Sequence, residues 1–343
     1  MEAQRDALVE RLFEAVLGFN DLYMVYLGDR LGLYAALRES GPATPAELAG
    51  ATGTIERYVR EWLEQQAVTG ILEEAGGRFS LPPGHAEVLL DPDSLSYLAP
   101  FARMMVGIVR PVPRLVEAFR TGDGIPYAEY DADFLEGQAE MNRVQFVNLL
   151  GSEWIPVMAD VHERLQADPP ARVADVACGG GWSTIALARA YPKAAVDGYD
   201  LDEASIELAR ANAAAEGVDV RFEVRNAAEI EGDYDLVTVF EAIHDMSRPV
   251  EALAALRRLG GTLLVVDERV ADSFTAPGND VERLMFGWSV LHCLPVGLAE
   301  QPSAATGTAM RADTFRRYAR EAGFDDVEIL PIENDFWRFY RLG

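Results

Sequence analysis

ARVADVACGGGWSTIALARAYP, residues 171–192, decides the fold. Its first eight residues are apolar but for Arg172 and Asp175, as in a strand covered on both faces. Gly179, Gly180 and Gly181 break the run, and WSTIALARAYP continues at helical spacing. Glycine in such a turn lets a ligand approach the backbone, and the helix that follows offers free N–H groups.

The same unit repeats downstream. AAVDGYD is a second strand, followed by the helix EASIELARANAAAEG. VDVRFEV is a third strand and DYDLVTVF a fourth, with SRPVEALAALRRL as its helix. GTLLVVD is a fifth strand, ADTFRRYAREAGF a late helix, and VEILPI with FWRFYRL a closing hairpin. Strands alternating with helices predict a parallel, doubly wound α/β sheet.

The front of the chain reads differently. Residues 3–37 predict two helices, with Leu8, Leu12, Ala15, Val16 and Phe19 at helical spacing and a break at Gly28 to Gly32. Thr44 and Glu47 have capping-box spacing, Thr54 opens another helix, and GILEE and RFSL form a hairpin around Gly76-Gly77. Helix, turn, helix, hairpin is a winged-helix pattern. Residues 94–165 predict further helices, interrupted around Pro111-Pro113 and at Gly122-Asp123-Gly124. Pro169-Pro170 sets the expected boundary, giving a helical domain 1–168 and an α/β domain 169–343.

Composition excludes several partner classes. The formal net charge is -26, from 56 acidic against 30 basic residues, and Lys193 is the one lysine. Such a surface repels phosphate backbones and anionic membranes. The candidate recognition helix TIERYVREWLEQQA sets Arg57 and Arg60 against Glu56, Glu61 and Glu64, which argues for a dimerisation module over a DNA reader. Cys178 and Cys293 are too few for a disulfide framework. MEAQRDALVERLFEAV lacks a signal pattern, and YLAPFARMMVGIV is too short to span a bilayer, so a cytoplasmic protein is expected.

Ligands of doubly wound sheets bind outside the carboxyl ends of the strands. At such ends stand Asp200, able to accept two ribose hydroxyls, and the pair His244-Asp245 in FEAIHDM. The chain has four histidines; His85 and His162 read as structural, and Cys178 as a small residue that fits its turn. His292, in FGWSVLHCLP, falls on a helix beyond strand five.

This order of elements and anchors resembles the class I S-adenosylmethionine-dependent methyltransferases, and the winged-helix front resembles their small-molecule O-methyltransferase subgroup. The resemblance implies a Rossmann-like seven-stranded sheet preceded by a helical winged-helix dimerisation domain, and hence a homodimer. It assigns Asp175, Gly179 and Gly181 to the cofactor turn, with Ala177 in place of a glycine, and Asp200 to the ribose. Asn226 and Ala227 would lie beside adenine, and Phe240 and Glu241 near the methionine end.

Two readings of the His-Asp pair follow. In one, His244 is the general base of an O-methyltransferase of small hydroxylated molecules, oriented by Asp267 or Glu268. In the other, His244, Asp245 and His292 hold a divalent metal, iron or zinc. That arrangement resembles metal-dependent α-keto acid C-methyltransferases, which methylate C3 through an enolate. Arg103 and Arg143, with Arg283, are candidate cations for the acceptor carboxylate, and Met104, Met105, Phe286, Trp288 and Leu291 candidate pocket walls. The metal reading is the better expectation, because it alone employs His292. A rival of another class is a winged-helix DNA-binding regulator that senses S-adenosylmethionine.

Overall fold

The structure is a computed structural model that describes residues 1–343. The chain folds as two compact units: Met1–Gly107 with Glu136–Val144, and Ile108–Leu135 with Gln145–Gly343.

The first unit opens with α1 (Glu2–Arg30) and α2 (Leu33–Ser40). α3 (Pro45–Thr52) starts at Thr44, and the expected capping box with Glu47 is present in both directions. α4 (Glu56–Val68) begins two residues after Thr54. β1 (Glu73–Ala75) and β2 (Arg78–Ser80) form the wing across Gly76-Gly77, and Ala43 bridges to Phe79 as a third short partner. Tyr34, Trp62 and Leu63 fill the core between the helices. Trp62 Nε1 donates to Met24 O at 2.9 Å, tying α4 to α1. α1 otherwise turns its apolar residues outward. Leu8, Val9, Leu12, Phe13, Val16 and Phe19 are all more than half exposed in the single chain. Both α4 arginines pair with glutamates of their own helix, Arg57 with Glu61 and Arg60 with Glu56.

α5 (Pro83–Leu90) and α6 (Ala99–Ile108) follow, then α7 (Val112–Thr121), separated from α6 near Pro111 as expected. α8 (Ala132–Gln145) runs into a π-helical stretch, Phe146–Trp154, and then α9 (Ala159–Gln166). The compact units therefore do not divide at Pro169-Pro170. The π-helical stretch packs on the sheet domain, where Trp154 meets Trp337 at 5.5 Å and Phe339 at 4.9 Å. Gly151 permits that approach, since a Cβ there would stand 2.3 Å from Ala190 Cβ.

The second unit is built on β3 (Arg172–Val176), β4 (Ala195–Asp200), β5 (Arg221–Val224), β6 (Leu236–Phe240), β7 (Thr262–Glu268), β8 (Glu328–Ile329) and β9 (Trp337–Leu342). Their order across the sheet is β5-β4-β3-β6-β7-β9-β8; the first five are parallel and the last two antiparallel. All five residues of β6 are buried, as the unbroken apolar run required. α10 (Trp182–Ala190), α11 (Glu203–Glu216), α12 (Pro249–Arg257), α13 (Asp280–Trp288), α14 (Leu294–Leu298) and α15 (Ala312–Glu321) complete the unit. No helix is long and apolar enough to cross a membrane.

Candidate active site

The cofactor turn comes first, because β3 dictates it. Asp175 is fully buried at the end of that strand. Its Oδ2 accepts from Ser183 Oγ and Thr184 Oγ1, both at 2.6 Å, and its Oδ1 from Thr238 Oγ1 at 2.7 Å. The register pairs Asp175 with Thr238, which sets the two side chains on one face of the sheet. Burial pushes Asp175 above its ordinary value, and the three hydroxyls oppose that shift. It thus holds the turn from below, where the sequence placed it among the cofactor contacts.

Ala177 takes a left-handed backbone with φ 57°, at the position where the resembled turn carries glycine. Gly179 and Gly181 share that conformation at φ 50° and 79°. A Cβ on Gly181 would stand 2.7 Å from Ala209 and 2.8 Å from Phe222, whereas one on Gly179 would meet nothing within 4 Å. The turn is therefore packed on the Gly181 side and open on the Gly179 side. Asp200 Oδ2 accepts from Gly179 N at 2.8 Å, and its Oδ1 from Asp202 N at 2.9 Å. Burial pushes Asp200 up to about 6. A half-buried carboxylate beside an open glycine turn fits the ribose of S-adenosylmethionine. Asn226 is exposed; its Oδ1 accepts from Ala228 N and starts the turn Ala227–Glu229. Phe240 packs on Phe146 at 4.9 Å, and Glu241 accepts from Trp337 Nε1 with its backbone at φ 51°.

The strand ends where the His-Asp pair needs it to. β6 stops at Phe240, and Ile243–Asp245 form a 3₁₀ turn, which frees the pair from strand alternation. His244 is 1% exposed. Its Nδ1 lies 2.5 Å from Asp267 Oδ1 and 2.8 Å from Glu268 Oε2, and its Nε2 3.0 Å from Asp245 Oδ1. Burial pulls the imidazole down, but the charges of Asp245, Asp267 and Glu268 outweigh it and hold the ring well above its ordinary value. Burial likewise works to raise Asp245 and Asp267, and the His244 charge overrides it in both, leaving each below the usual carboxylate range. Glu268 is the exception: burial keeps it well above that range. Two carboxylates against one imidazolium leave the cluster net negative, a setting that attracts a cation.

His292 and Cys293 lie in a π-helical turn, Ser289–Cys293, between α13 and α14. The wider turn lets consecutive residues face inward, with His292 3% and Cys293 7% exposed. Burial pulls the His292 ring down to about 4, so it is a neutral imidazole. Its Nδ1 is 3.6 Å from Cys293 Sγ, and its Nε2 has no hydrogen-bond partner. Aromatic rings wall it in: Phe134 at 4.4 Å, Tyr130 at 4.5 Å and Tyr127 at 5.6 Å.

The expected metal triad is altered by this geometry. The ligand atoms of His244, Asp245 and Cys293 lie within 4.8 Å of one another, as do those of His244, Asp267 and Glu268; His292 belongs to neither group. The candidate arginines are otherwise engaged. Arg103 pairs with Asp29 at 2.5 Å and Glu140 at 3.0 Å, Arg143 with Asp93 at 2.7 Å, and exposed Arg283 with Asp280 at 2.7 Å. His162 bonds to the Tyr191 hydroxyl and His85 to Ile71 O, which makes both structural. Sequence reasoning missed Tyr127, Tyr130 and Phe134; their signal was the aromatic spacing in IPYAEYDADF.

Residues 173–260 match the family described as Methyltransferase domain, and residues 22–90 the Rv2258c-like winged HTH domain. The ubiquinone biosynthesis O-methyltransferase of Bordetella bronchiseptica is 33% identical over 223 residues, covering 62% of this chain and 83% of that protein. The chain belongs to the S-adenosylmethionine-dependent methyltransferases. The Bordetella avium protein of the same description is 34% identical over 157 residues, covering 42% of this methyltransferase but less than two thirds of its relative, 62%. In overall fold this methyltransferase is similar to mitomycin 7-O-methyltransferase MmcR, with TM-score 0.69 and 19% identity over 100% of this chain and 99% of the other. It is also similar to human N-acetylserotonin methyltransferase in complex with SAM, with TM-score 0.65 and 17% identity over 98% and 97% of the two chains. At those identities the likeness shows the fold alone.

Proposed function

We propose that this methyltransferase moves a methyl group onto an oxygen of a small hydroxylated molecule, with His244 as the base. The carrying observation is the 2.5 Å contact between His244 Nδ1 and Asp267, which fixes the ring so that Nε2 faces Asp245 and the site. S-adenosylmethionine, when bound, supplies an electrophilic methyl on a sulfonium centre. Asp200 accepts the ribose hydroxyls, and Gly179 leaves the turn open beside it. His244 loses its extra proton more readily beside a second positive charge. Its freed Nε2 then takes the acceptor's hydroxyl proton as the oxygen attacks, and Asp267 balances the imidazolium that forms. The likeness to ubiquinone biosynthesis O-methyltransferases supports the choice of oxygen. Labelled methyl transfer to a panel of phenols, with His244→Asn as control, tests the reading: no transfer to any hydroxyl acceptor overturns it.

A second reading, metal-assisted C-methylation of an α-keto acid, is favoured by one observation: the His292 Nε2 is buried without a partner beside the His244–Asp245–Cys293 group. The donor set fits a divalent ion such as iron or zinc, and a carboxylate on the far nitrogen is the usual support of a histidine ligand. His244, Asp245 and Cys293 or His292 would hold the ion, which would supply Lewis-acid activation of a keto acid.

The exposed apolar face of α1 supports a homodimer in the same proposal, since a contiguous outward stripe from Leu8 to Phe19 calls for cover.

A further inference from the structure

The segment between α7 and α8 does more than connect them. It leaves α7 at Gly122, whose backbone is left-handed at φ 81°. Three attachments seat it on the turn and helix that follow α13. Ile125 N donates to Pro295 O at 2.9 Å. The Tyr130 hydroxyl donates to Leu291 O at 2.8 Å. At Gly124 the two backbones touch, and an added Cβ would stand 2.1 Å from Ala299 N.

Tyr127, in the middle of the segment, reaches the other way. Its hydroxyl shares a hydrogen bond with Ser205 in the first turn of α11, in the field of Asp200, Asp202 and Asp245. Asp200 ends β4 and Asp245 follows β6, with β3 between those strands in the sheet. The bond to Ser205 sets the Tyr127 hydroxyl at the start of α11, three residues after the Asp202 that caps it and five after Asp200. The ring of the same residue meets the His292 ring nearly edge-on, at 70°. One side chain therefore spans the cofactor acid and the acceptor cluster.

We propose that Tyr127 is the gate of the cofactor site: residues 123–131 close over the start of α11, and Tyr127 must release Ser205 before ribose hydroxyls reach Asp200. The gate rests on the S-adenosylmethionine reading given above. Opening it also lifts an aromatic wall from the unpartnered Nε2 of His292, so cofactor entry and acceptor access share one motion. A ligand that binds only the open form is weakened by the fraction of time the segment is closed. Removing one hydrogen bond that holds the closed form shifts that balance by roughly threefold to tenfold.

The test uses the full chain as wild type, Tyr127→Phe and Gly124→Ala. Tyr127→Phe keeps the ring and removes the bond to Ser205. Gly124→Ala places a methyl against Ala299 and unseats the segment by a separate route. Hydrogen exchange over 123–131 and S-adenosylhomocysteine titration are read on each. The gate requires faster exchange in both variants and several-fold tighter or faster ligand binding. Unchanged exchange in Tyr127→Phe overturns it. Faster exchange with weaker binding also overturns it, and makes Tyr127 a cofactor contact instead. A wild type that binds no S-adenosylhomocysteine sinks the cofactor reading and the gate with it, which the exchange data then show separately from a failure of the Ser205 bond.

Discussion

Asp267 Oδ1 and His244 Nδ1 face each other at 2.5 Å with both residues at or below 1% exposure. Such a contact fixes the tautomer of the ring and favours its charged form. Burial opposes that charge, yet Asp245, Asp267 and Glu268 together hold the ring well above its ordinary value. The base is the deprotonated ring. Turnover at limiting substrate therefore rises with pH until that raised value is passed, then levels off. Asp267→Asn removes one negative charge and moves the rising limb to lower pH, while His244→Asn lowers the rate by roughly 10²–10⁴-fold. A wild-type profile that is flat from about pH 6 to pH 10 contradicts the base role. The ion pairing has a stability counterpart. It contributes fully below the unfolded value of about 6.5 and is lost as pH rises through the folded value.

Asp200 gives a separate pH dependence, in cofactor affinity. Burial places it at about 6, and only the carboxylate accepts two ribose hydroxyls. Affinity for S-adenosylhomocysteine should fall as pH drops through that value, by about tenfold per unit further down. Asp200→Ala should bind too weakly to measure by calorimetry. Equal affinity for the variant and wild type would remove Asp200 from the cofactor site.

Ala177→Gly should stabilise the chain. A left-handed alanine at φ 57° costs roughly 1–2 kcal/mol, and part of that is recovered by glycine after its extra unfolded-state entropy. A gain of about 0.5–1 kcal/mol in denaturant melts is expected, with cofactor affinity retained. A lower denaturant midpoint for the glycine variant would show that the Ala177 methyl packs more usefully than its backbone strain costs.

The outward face of α1 predicts a dimer in sedimentation. Leu12→Asp with Val16→Asp, both more than half exposed in the single chain, should give monomers without lowering the melting point of the sheet domain. Wild type that sediments as a monomer at micromolar concentration refutes the proposed pairing.

The metal reading predicts close to one equivalent of iron or zinc in protein purified without tag or chelator. Cys293→Ser and His292→Ala separate the two possible third ligands: the one that matters loses the ion. Metal-free wild type from replete cells leaves the base reading alone.

The sheet was legible because its strands are buried on both faces. β6 shows five buried residues in a row, so its apolar run carried the assignment without any tertiary knowledge. Thr44 and Glu47 were equally plain, since a capping box is a local contact. The place of His244 followed from strand order, and its acids Asp267 and Glu268 from the end of β7. What escaped was set by geometry with no sequence period. The π-helical turn that brings Cys293 inward beside His292 looks like ordinary helix in the sequence. Tyr127 reaches Ser205 across 78 residues, a distance no spacing rule covers. The outward stripe of α1 has the periodicity of a buried face, because a partner surface and a core face obey the same pattern.

Asp175 joins three elements through hydroxyl groups: its own strand, α10 through Ser183 and Thr184, and β6 through Thr238. Anyone recutting the acceptor side of this chain inherits that knot. The strand that ends in the His-Asp turn can be exchanged only with Thr238 retained, because its hydroxyl also sets the floor of the nucleotide cradle. A graft that keeps the visible catalytic residues and swaps this threonine for valine should lose cofactor binding first, with no altered residue in either pocket to explain it.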